Sequence, residues 1–447
     1  MRLTTAFVMI LALPACLLWA QESRPAAAPS TATPAATPAT STAPASAPAS
    51  APAGTRDWPQ FLGPNADGIS PQTGINKDWQ ARPPKVLWDI PMQDKGHAGP
   101  SVAGGAVFIV DHEGENDIVR AIDLKTGRDR WTFPYPESKQ EDHGHARITP
   151  LVADGRVYTV SRLGLIHCLD AKTGDKVWSR DIVKDFKGSP PTWGLAMSPV
   201  LDGEKLIVCP GGPGASVVAL DRKTGGTIWQ GGGSYTGKSG LGYATPVIAT
   251  LYGTRQYVVF MGTHVIGVDA GSGKELWKLP WSAIQCTASP RVMGPDTIFI
   301  TSFYDQKKSC ALVKVSPDGA KVVWENTNLR SKMATPIVFD GHIYGNDSAT
   351  GSLVCIDAKT GDLRWKQAGF EQGGMVAVDG VLLALDGKSG DLVMVEMKSD
   401  SYRELGRCEP LKYQGKGLRG NVWVAPIVAD GKAIIRDRNR LVCLELK

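Results

Sequence analysis

The sequence predicts an all-β fold: an eight-bladed β-propeller of four-stranded antiparallel blades, with the last blade closed by an N-terminal strand. The composition favours short strands joined by turns, because 50 of the 447 residues are Gly, 13 are Trp, and Val, Ile and Leu stand in short runs. A turn motif recurs five times, and eight apolar strands start at intervals of about 40 to 50 residues. These observations indicate one large repeat array.

The turn motif is Asp, two residues, Thr or Ser, Gly, three residues and Trp. Its five copies begin at Asp123, Asp170, Asp221, Asp269 and Asp357. The Asp carboxylate can accept backbone N–H groups of a tight hairpin, and the Gly supplies the positive φ that closes it. The Trp on the outgoing strand is a large flat wedge against the neighbouring unit. We therefore interpret the five aspartates as turn caps and not as catalytic acids.

A second motif, a small residue followed by Pro, opens each innermost strand. It stands at Gly99-Pro100, Thr149-Pro150, Ser198-Pro199, Thr245-Pro246, Ser289-Pro290, Thr335-Pro336 and Ala425-Pro426, and an eighth copy at Gly373-Gly374 lacks the Pro. The second unit then divides into four predicted strands, 149–153, 156–161, 165–170 and 175–181. Four short antiparallel strands in succession form one propeller blade.

The ring is expected to close through both chain ends. Two units depart from the pattern, one around Gly319 and one around Asp400, and the last unit ends at Lys447, where its fourth strand is due. Lys85-Val86-Leu87-Trp88 matches Lys176-Val177-Trp178 in character and can supply that strand. Such pairing leaves no open edge between the first and last blades.

The chain divides into four predicted segments: a signal peptide at 1–20, a disordered linker at 21–56, an N-terminal arm at 57–84 and the propeller at 85–447. The signal has Arg2 before an apolar run, and two alternatives stay open, cleavage after Ala20 or lipidation at Cys16. Residues 25–54 are all Pro, Ala, Ser, Thr or Gly, too few of them apolar to offset the entropy of ordering. We expect export to the periplasm or cell envelope, with membrane attachment only through lipidation at Cys16.

Charge and motif spacing exclude several other functions. A net charge of +5 without a basic cluster argues against nucleic acid. Residues 232–239 fit a phosphate-binding loop, but the chain continues into the strand after Thr245-Pro246 instead of a helix. His143-Gly144-His145, with His97 and His112 elsewhere, lacks a Cys, Asp or Glu at ligand spacing, so no metal is expected. Seven cysteines outside the signal, without a CxxC pair, do not indicate a disulfide framework.

The turn-and-Trp repeat resembles the pyrroloquinoline-quinone-like (PQQ-like) β-propeller family over about residues 85–447. The run from Trp58 to Gly68 also resembles the opening of secreted PQQ-like repeat proteins of planctomycete-type bacteria. The resemblance implies either a BamB-like propeller of outer-membrane protein assembly or a quinoprotein dehydrogenase. A dehydrogenase of this family is expected to carry adjacent cysteines, a catalytic Asp and a calcium site of Glu, Asn and Asp. No two cysteines are adjacent here and no such Glu and Asn pair is recognisable, so we expect no cofactor and no enzyme activity.

The sequence therefore predicts a non-catalytic envelope or secreted scaffold, monomeric, that binds a protein, peptide or glycan; the alternative is a quinoprotein-like oxidoreductase. Strand order places the Lys-Thr-Gly turns on one face and the long blade-to-blade loops on the other, which we call the mouth. Aromatic and cationic side chains dominate such recognition surfaces. The candidate mouth residues are His97, His145, Arg147, Trp193, Tyr243, Lys332, Arg419 and Trp423.

Overall fold

The structure is a computed structural model that describes residues 56–137, 143–237, 240–283, 285, 287–303, 307–412 and 422–447. The predicted signal peptide with Cys16, nearly all of the linker, and Arg419 lie outside the described residues. No helix within the described ranges combines the length and the apolar character that a membrane crossing requires.

The described strands form eight antiparallel blades around a central channel, which confirms the predicted fold class. Two strands precede the first complete blade: β1 (Ile69–Ser70) and β2 (Val86–Pro91). Blades 1 and 2 hold β3 (Ser101–Ala103), β4 (Ala106–Glu113), β5 (Asn116–Asp123), β6 (Asp129–Pro136), β7 (Leu151–Ala153), β8 (Arg156–Val160), β9 (Leu165–Asp170) and β10 (Lys176–Asp181). A short helix follows, α1 (Ile182–Asp185).

Blades 3 to 5 continue the same order. Their strands are β11 (Val200–Asp202), β12 (Lys205–Val208), β13 (Val217–Asp221), β14 (Thr227–Gly231), β15 (Val247–Leu251), β16 (Thr254–Phe260), β17 (His264–Asp269), β18 (Glu275–Pro280), β19 (Arg291–Val292), β20 (Thr297–Thr301), β21 (Cys310–Ser316) and β22 (Gly319–Asn326). The predicted departure around Gly319 is thus accommodated within a four-stranded blade.

Blades 6 to 8 complete the ring. Their strands are β23 (Ile337–Phe339), β24 (His342–Asp347), β25 (Ser352–Asp357), β26 (Leu363–Ala368), β27 (Met375–Val378), β28 (Val381–Leu385), β29 (Leu392–Glu396), β30 (Glu404–Cys408), β31 (Ile427–Ala429), β32 (Lys432–Arg436) and β33 (Arg440–Glu445). Six cysteines lie in the described part of the chain, and all are free thiols.

Hydroxyl side chains at the start of the inner strands link neighbouring blades. The backbone N–H of Thr149 donates to Ser198 Oγ at 3.0 Å, and that of Ser198 donates to Thr245 Oγ1 at 3.1 Å. The N–H of Ser289 donates to Thr335 Oγ1 at 3.0 Å in the same manner. Each bond satisfies a buried donor that no strand partner reaches. At Thr149, Ser198, Thr245, Ser289 and Thr335, the small residue before Pro therefore links two blades as well as starting a strand.

The turn motif works as predicted. Asp123 Oδ1 accepts the backbone N–H groups of Lys125 and Thr126 at 3.1 and 2.9 Å. Hydrogen bonds from Arg130 lower the pKa of Asp123 to about 2. The repeat Trp then packs on the turn of the next blade: a Cβ at Gly174, where φ is +80°, would lie 2.7 Å from the ring of Trp131. The Trp ring can pack on the turn only because the turn residue is Gly and has no side chain.

The ring closes through β2 (Val86–Pro91), which confirms the predicted N-terminal strand. β2 pairs antiparallel with β33 (Arg440–Glu445), and Trp88 lies opposite Cys443. Trp88 Nε1 donates to the carbonyl of Leu124 at 3.0 Å, and a Cβ at Gly127 would lie 2.8 Å from its ring. The junction between blades 8 and 1 thus repeats the Trp-on-Gly contact of the other blades.

The N-terminal arm crosses the channel at the end opposite the mouth. Trp58 exchanges two backbone hydrogen bonds with Val102 of blade 1, at 2.9 and 2.8 Å. Further along, Arg291 of blade 5 donates to the carbonyl of Ala66 at 2.9 Å. Strand β1 (Ile69–Ser70) then pairs in parallel with the inner strand of blade 7. These contacts place the arm against the inner strands of blades 1, 5 and 7, so it forms a floor across the channel.

Candidate functional site

A cavity of about 240 Å³ occupies the channel between the mouth and the arm. Its apolar lining includes Phe61 and Leu62 from the arm, with Met375 and Ile427 from the inner strands of blades 7 and 8. Trp58, which is 3% exposed, also lines it. Because the arm lies across the far end, we treat the channel as a pocket entered from the mouth.

Six of the eight candidate residues line this cavity: His97, Arg147, Trp193, Tyr243, Lys332 and Trp423. His145 is not among the lining residues, and Arg419 lies outside the described residues. The sequence prediction missed His143, two positions from His145, and Gln285 in the loop before the inner strand of blade 5. Both could have been predicted from the sequence. Each lies on a loop shortly before an inner strand that opens with a small residue and Pro, as the other mouth residues do.

Five aromatic rings form a continuous belt along one side of the cavity. Trp423 stacks on His97 with ring centroids 4.5 Å apart. His143 lies 5.8 Å from Trp423 and 6.1 Å from Trp193. Trp193 in turn lies 5.7 Å from Tyr243. The belt spans the loops that lead into blades 8, 1, 2, 3 and 4, and it offers flat apolar faces to whatever enters the pocket.

The opposite side of the cavity is polar. Gln285 and Thr287 come from the loop before blade 5, and Lys332 comes from the loop before blade 6. Thr287 Oγ1 donates to the carbonyl of Met333 at 2.7 Å, which ties these two loops together. The ammonium of Lys332 lies 5.6 Å from the ring centre of Phe303. The cavity is therefore two-sided, aromatic on one side and hydrogen-bonding on the other.

The lining is rich in hydrogen-bond donors and poor in negative charge. It contains Arg147 and Lys332, and none of its described residues is Asp or Glu. The hydroxyls of Ser198, Thr245 and Thr335 each accept a backbone N–H, which leaves their own protons as donors. Such a lining favours a group that brings acceptors or a negative charge.

Two backbone segments behind the mouth are fixed by buried charges. The Asp94 carboxylate accepts the N–H groups of His145 and Ala146 at 2.9 and 3.0 Å. The Arg436 guanidinium, fully buried, donates to the carbonyls of Ala98 and Asp94 at 2.7 and 3.1 Å. These bonds hold the segments that carry His97, His143 and Arg147 against each other.

The described residues do not form a metal site. His112, Asp117 and His145 bring ligand atoms within 4.8 Å of one another, but the two imidazoles stack in parallel. Lone pairs in parallel ring planes do not converge on one ion, as a zinc site requires. Calcium needs several oxygen ligands, usually with carboxylates among them, and the described cavity lining contains no carboxylate.

The comparisons with known proteins agree with this architecture. The crystal structure of BamB from Moraxella catarrhalis matches with a TM-score of 0.54 and 15% identity, covering 81% of this chain and 98% of that one. The curated outer membrane protein assembly factor BamB of Burkholderia pseudomallei (strain K96243) is 24% identical over 270 residues, which are 52% of this chain and 66% of that protein. The quinohemoprotein alcohol dehydrogenase ADH-IIG of Pseudomonas putida is 31% identical over 156 residues, 32% of this chain and 21% of that enzyme.

Relatives therefore include both assembly factors and alcohol dehydrogenases, and the chain spans 66% of the length of the Burkholderia protein and 21% of that of the Pseudomonas enzyme. A family model described as "Outer membrane protein assembly factor BamB" matches residues 115–367 and 312–446, which together cover most of the chain. On this match, and on the eight-bladed fold, the chain belongs to the PQQ-like β-propeller family that this model represents.

Proposed function

We propose that this protein is a non-catalytic, monomeric scaffold of the cell envelope that captures a protein partner at the mouth. The observation that carries the proposal is the pocket that the arm closes at the far end, with its aromatic belt, two cationic side chains and no carboxylate in the described lining. The assembly factors among its relatives support a protein partner in general.

The partner's chemistry follows from the lining. A cavity of about 240 Å³ entered from the mouth admits a few side chains, so the partner inserts a short protruding loop instead of a whole element. An Asp or Glu on that loop can accept from Arg147 and Lys332. An aromatic or aliphatic neighbour can pack on the Trp193 and Trp423 rings, which are half-buried in the absence of a partner. The occupant is therefore an acidic loop with one large apolar residue.

Photocrosslinking in the native envelope tests this placement. p-Benzoylphenylalanine in place of Trp193 should crosslink one defined protein, whereas the same group in place of Lys359, an exposed turn residue of blade 6, should not. The crosslinked protein, purified, should then bind the unlabelled propeller directly, with affinity that falls as salt rises. Crosslinks from position 359 alone would contradict the mouth assignment, and recovery of a glycan instead of a protein would contradict the partner class.

The oxidoreductase alternative has a direct test of its own. Incubation with pyrroloquinoline quinone and Ca²⁺ should give neither a bound-cofactor absorbance nor reduction of an electron-accepting dye in the presence of a primary alcohol. The physical reason is the lack of carboxylate ligands in the described lining. Quinone-dependent dye reduction that disappears in a Trp423→Ala variant would contradict the non-catalytic proposal.

Export is also part of the proposal and is measured independently. Intact-mass analysis of the native protein should find a mature N-terminus at Gln21 or at a lipidated Cys16. A cellular protein that retains Met1 would contradict export through this signal.

A further inference from the structure

The part of the arm that lies beneath the pocket is a compact turn built on one Trp ring. The backbone N–H of Gly63 donates to the carbonyl of Gln60 at 3.0 Å, and that of Gly68 donates to the carbonyl of Leu62 at 2.9 Å. A Cβ at Gly63, where φ is +81°, would lie 2.8 Å from the ring of Trp58, which is buried. The turn therefore keeps its shape through its own bonds and packing.

Leu62, within this turn, has a left-handed backbone with a φ of +62°. Such a conformation is unfavourable for any residue with a Cβ, and it persists where the surrounding structure enforces it, often at ligand-binding sites. In this position Leu62 lines the cavity together with Phe61, and both side chains are only half-buried. The arm therefore holds two partly uncovered apolar side chains at the bottom of the pocket.

The floor is fastened to opposite sides of the ring. Trp58 pairs with Val102 of blade 1, and Arg291 of blade 5 donates to the carbonyls of Ala66 and Asp67 at 2.9 and 3.1 Å. Blades 1 and 5 face each other in an eight-bladed ring. Because both ends of the turn are tied to the ring, the floor is held in place when a side chain enters. Its own side chains therefore limit the depth of the pocket.

The pocket is shallow enough for one side chain to span it. Thr149 lines the cavity at the start of its inner strand, and Val152, three residues further along, donates its backbone N–H to the carbonyl of Pro59 in the arm at 2.8 Å. Arg147 stands two residues before Thr149, on the loop at the mouth. One short stretch of blade 2 thus carries a cation at the entrance, a hydroxyl in the wall and a contact with the floor.

We infer that the arm limits the length of the partner side chain that the pocket accepts: the apolar residue of the partner loop reaches the floor and contacts Phe61 and Leu62. The carboxylate of the same loop stays at the entrance with Arg147 and Lys332, because the floor is apolar and burial of a charge there is unfavourable. This inference rests on the proposed function, and it adds which residues of this chain select the partner side chain.

Cyclic hexapeptides of the sequence Gly-Glu-X-Glu-Gly-Pro, with Leu or Trp as X, are a probe that mimics a protruding acidic loop. Calorimetric titration gives the ratio of the two affinities for each variant. Leu62→Ala deepens the pocket and keeps the Cβ that the left-handed backbone already carries. It should shift the ratio toward the Trp peptide by about tenfold, as expected for a change of size in an apolar pocket. Phe61→Ala should shift the ratio in the same direction.

Two control variants accompany these measurements. Leu62→Met nearly conserves the side-chain volume and should leave the ratio close to that of the parent. Phe339→Ala removes an exposed apolar side chain of blade 6 that does not line the cavity, and it should leave the ratio unchanged. Both affinities are measured on one preparation, so a smaller folded fraction in a variant cannot change their ratio.

An unchanged ratio in both Leu62→Ala and Phe61→Ala would overturn the inference, and so would an equal shift in Phe339→Ala. Failure of both peptides to bind the parent at millimolar concentration would overturn it as well. The proposed function fails on a different result. Peptides that bind and respond to Leu62→Ala, without any protein crosslinked from position 193, would support the role of the floor and contradict a protein partner.

Discussion

The two ends of the central channel are built on the same strands, and they differ in the connections that join those strands and in the arm that crosses one of them. At the far end, strands are joined by short turns such as Asp154-Gly155 between β7 and β8, and the arm lies across them. At the mouth, long connections such as 182–199 between blades 2 and 3 carry Trp193 into the cavity. The difference teaches that the repeat determines where the strands lie. The length of the connections determines at which end side chains can reach the channel.

The largest expected effect contrasts one Trp at each end. Trp58→Ala should lower the free energy of unfolding by about 3 to 5 kcal/mol, because Trp58 is buried in the floor and paired with Val102. Trp193→Ala, at the half-buried mouth position, should cost much less stability. Urea denaturation of both variants measures the contrast. Similar losses in the two would show that the mouth is as much a part of the core as the floor.

Partner affinity, in contrast to stability, should depend strongly on the tryptophans at the mouth. Trp193→Ala and Trp423→Ala should each weaken binding of the crosslinked partner by about 2 kcal/mol, as expected for aromatic anchors of an interface. Calorimetric titration with the purified partner measures this, with thermal unfolding as the control for folding. If both variants bind as tightly as the parent, the recognition surface lies elsewhere.

A smaller and salt-dependent effect is expected from the mouth cations. Arg147→Met and Lys332→Met should each reduce affinity by about 1 kcal/mol at low ionic strength, and the difference from the parent should shrink as salt is added. The change keeps an aliphatic stem, so it tests charge more than packing. An effect that does not respond to salt would argue against an acidic partner.

The smallest effect belongs to the far face. Lys125→Glu, Lys172→Glu and Lys359→Glu reverse exposed turn charges and should alter partner affinity by less than about 0.5 kcal/mol. The same titration serves, and it completes the comparison between the two ends. Loss of binding in these variants, with silent mouth tryptophans, would move the site to the turns.

The fold is predictable from sequence because its determinants are local. An Asp cap, a Gly with positive φ and a Trp recur within nine residues, and the terminal strand is recognisable from Trp88 and the residues before it. Strand ends are less predictable: β7 begins at Leu151 and not at residue 149, because the Thr149 N–H is bonded to Ser198 in the next blade.

The candidate site is only partly predictable because it depends on contacts distant in sequence. His143 and His145 differ by two positions, yet one faces the cavity and the other stacks on His112. That choice is made by Asp94, 51 residues away, and by the close approach of Gly144 to Gly96. The floor was equally hidden, since nothing local in Phe61 or Leu62 indicates that the arm crosses the channel.

Closure through both chain ends sets the order in which the molecule can be assembled. Asp89 on β2 (Val86–Pro91) and Arg440 on β33 (Arg440–Glu445) form an ion pair across 351 residues of sequence. Blades 1 to 7 can form one after another as their strands become available, whereas blade 8 must wait for the last strand of the chain. Until then its partner strand β2 presents an unpaired edge beside blade 1. Completion of the ring is therefore expected to be the slow and aggregation-sensitive step of folding, and it can occur only after the C-terminal residues have emerged.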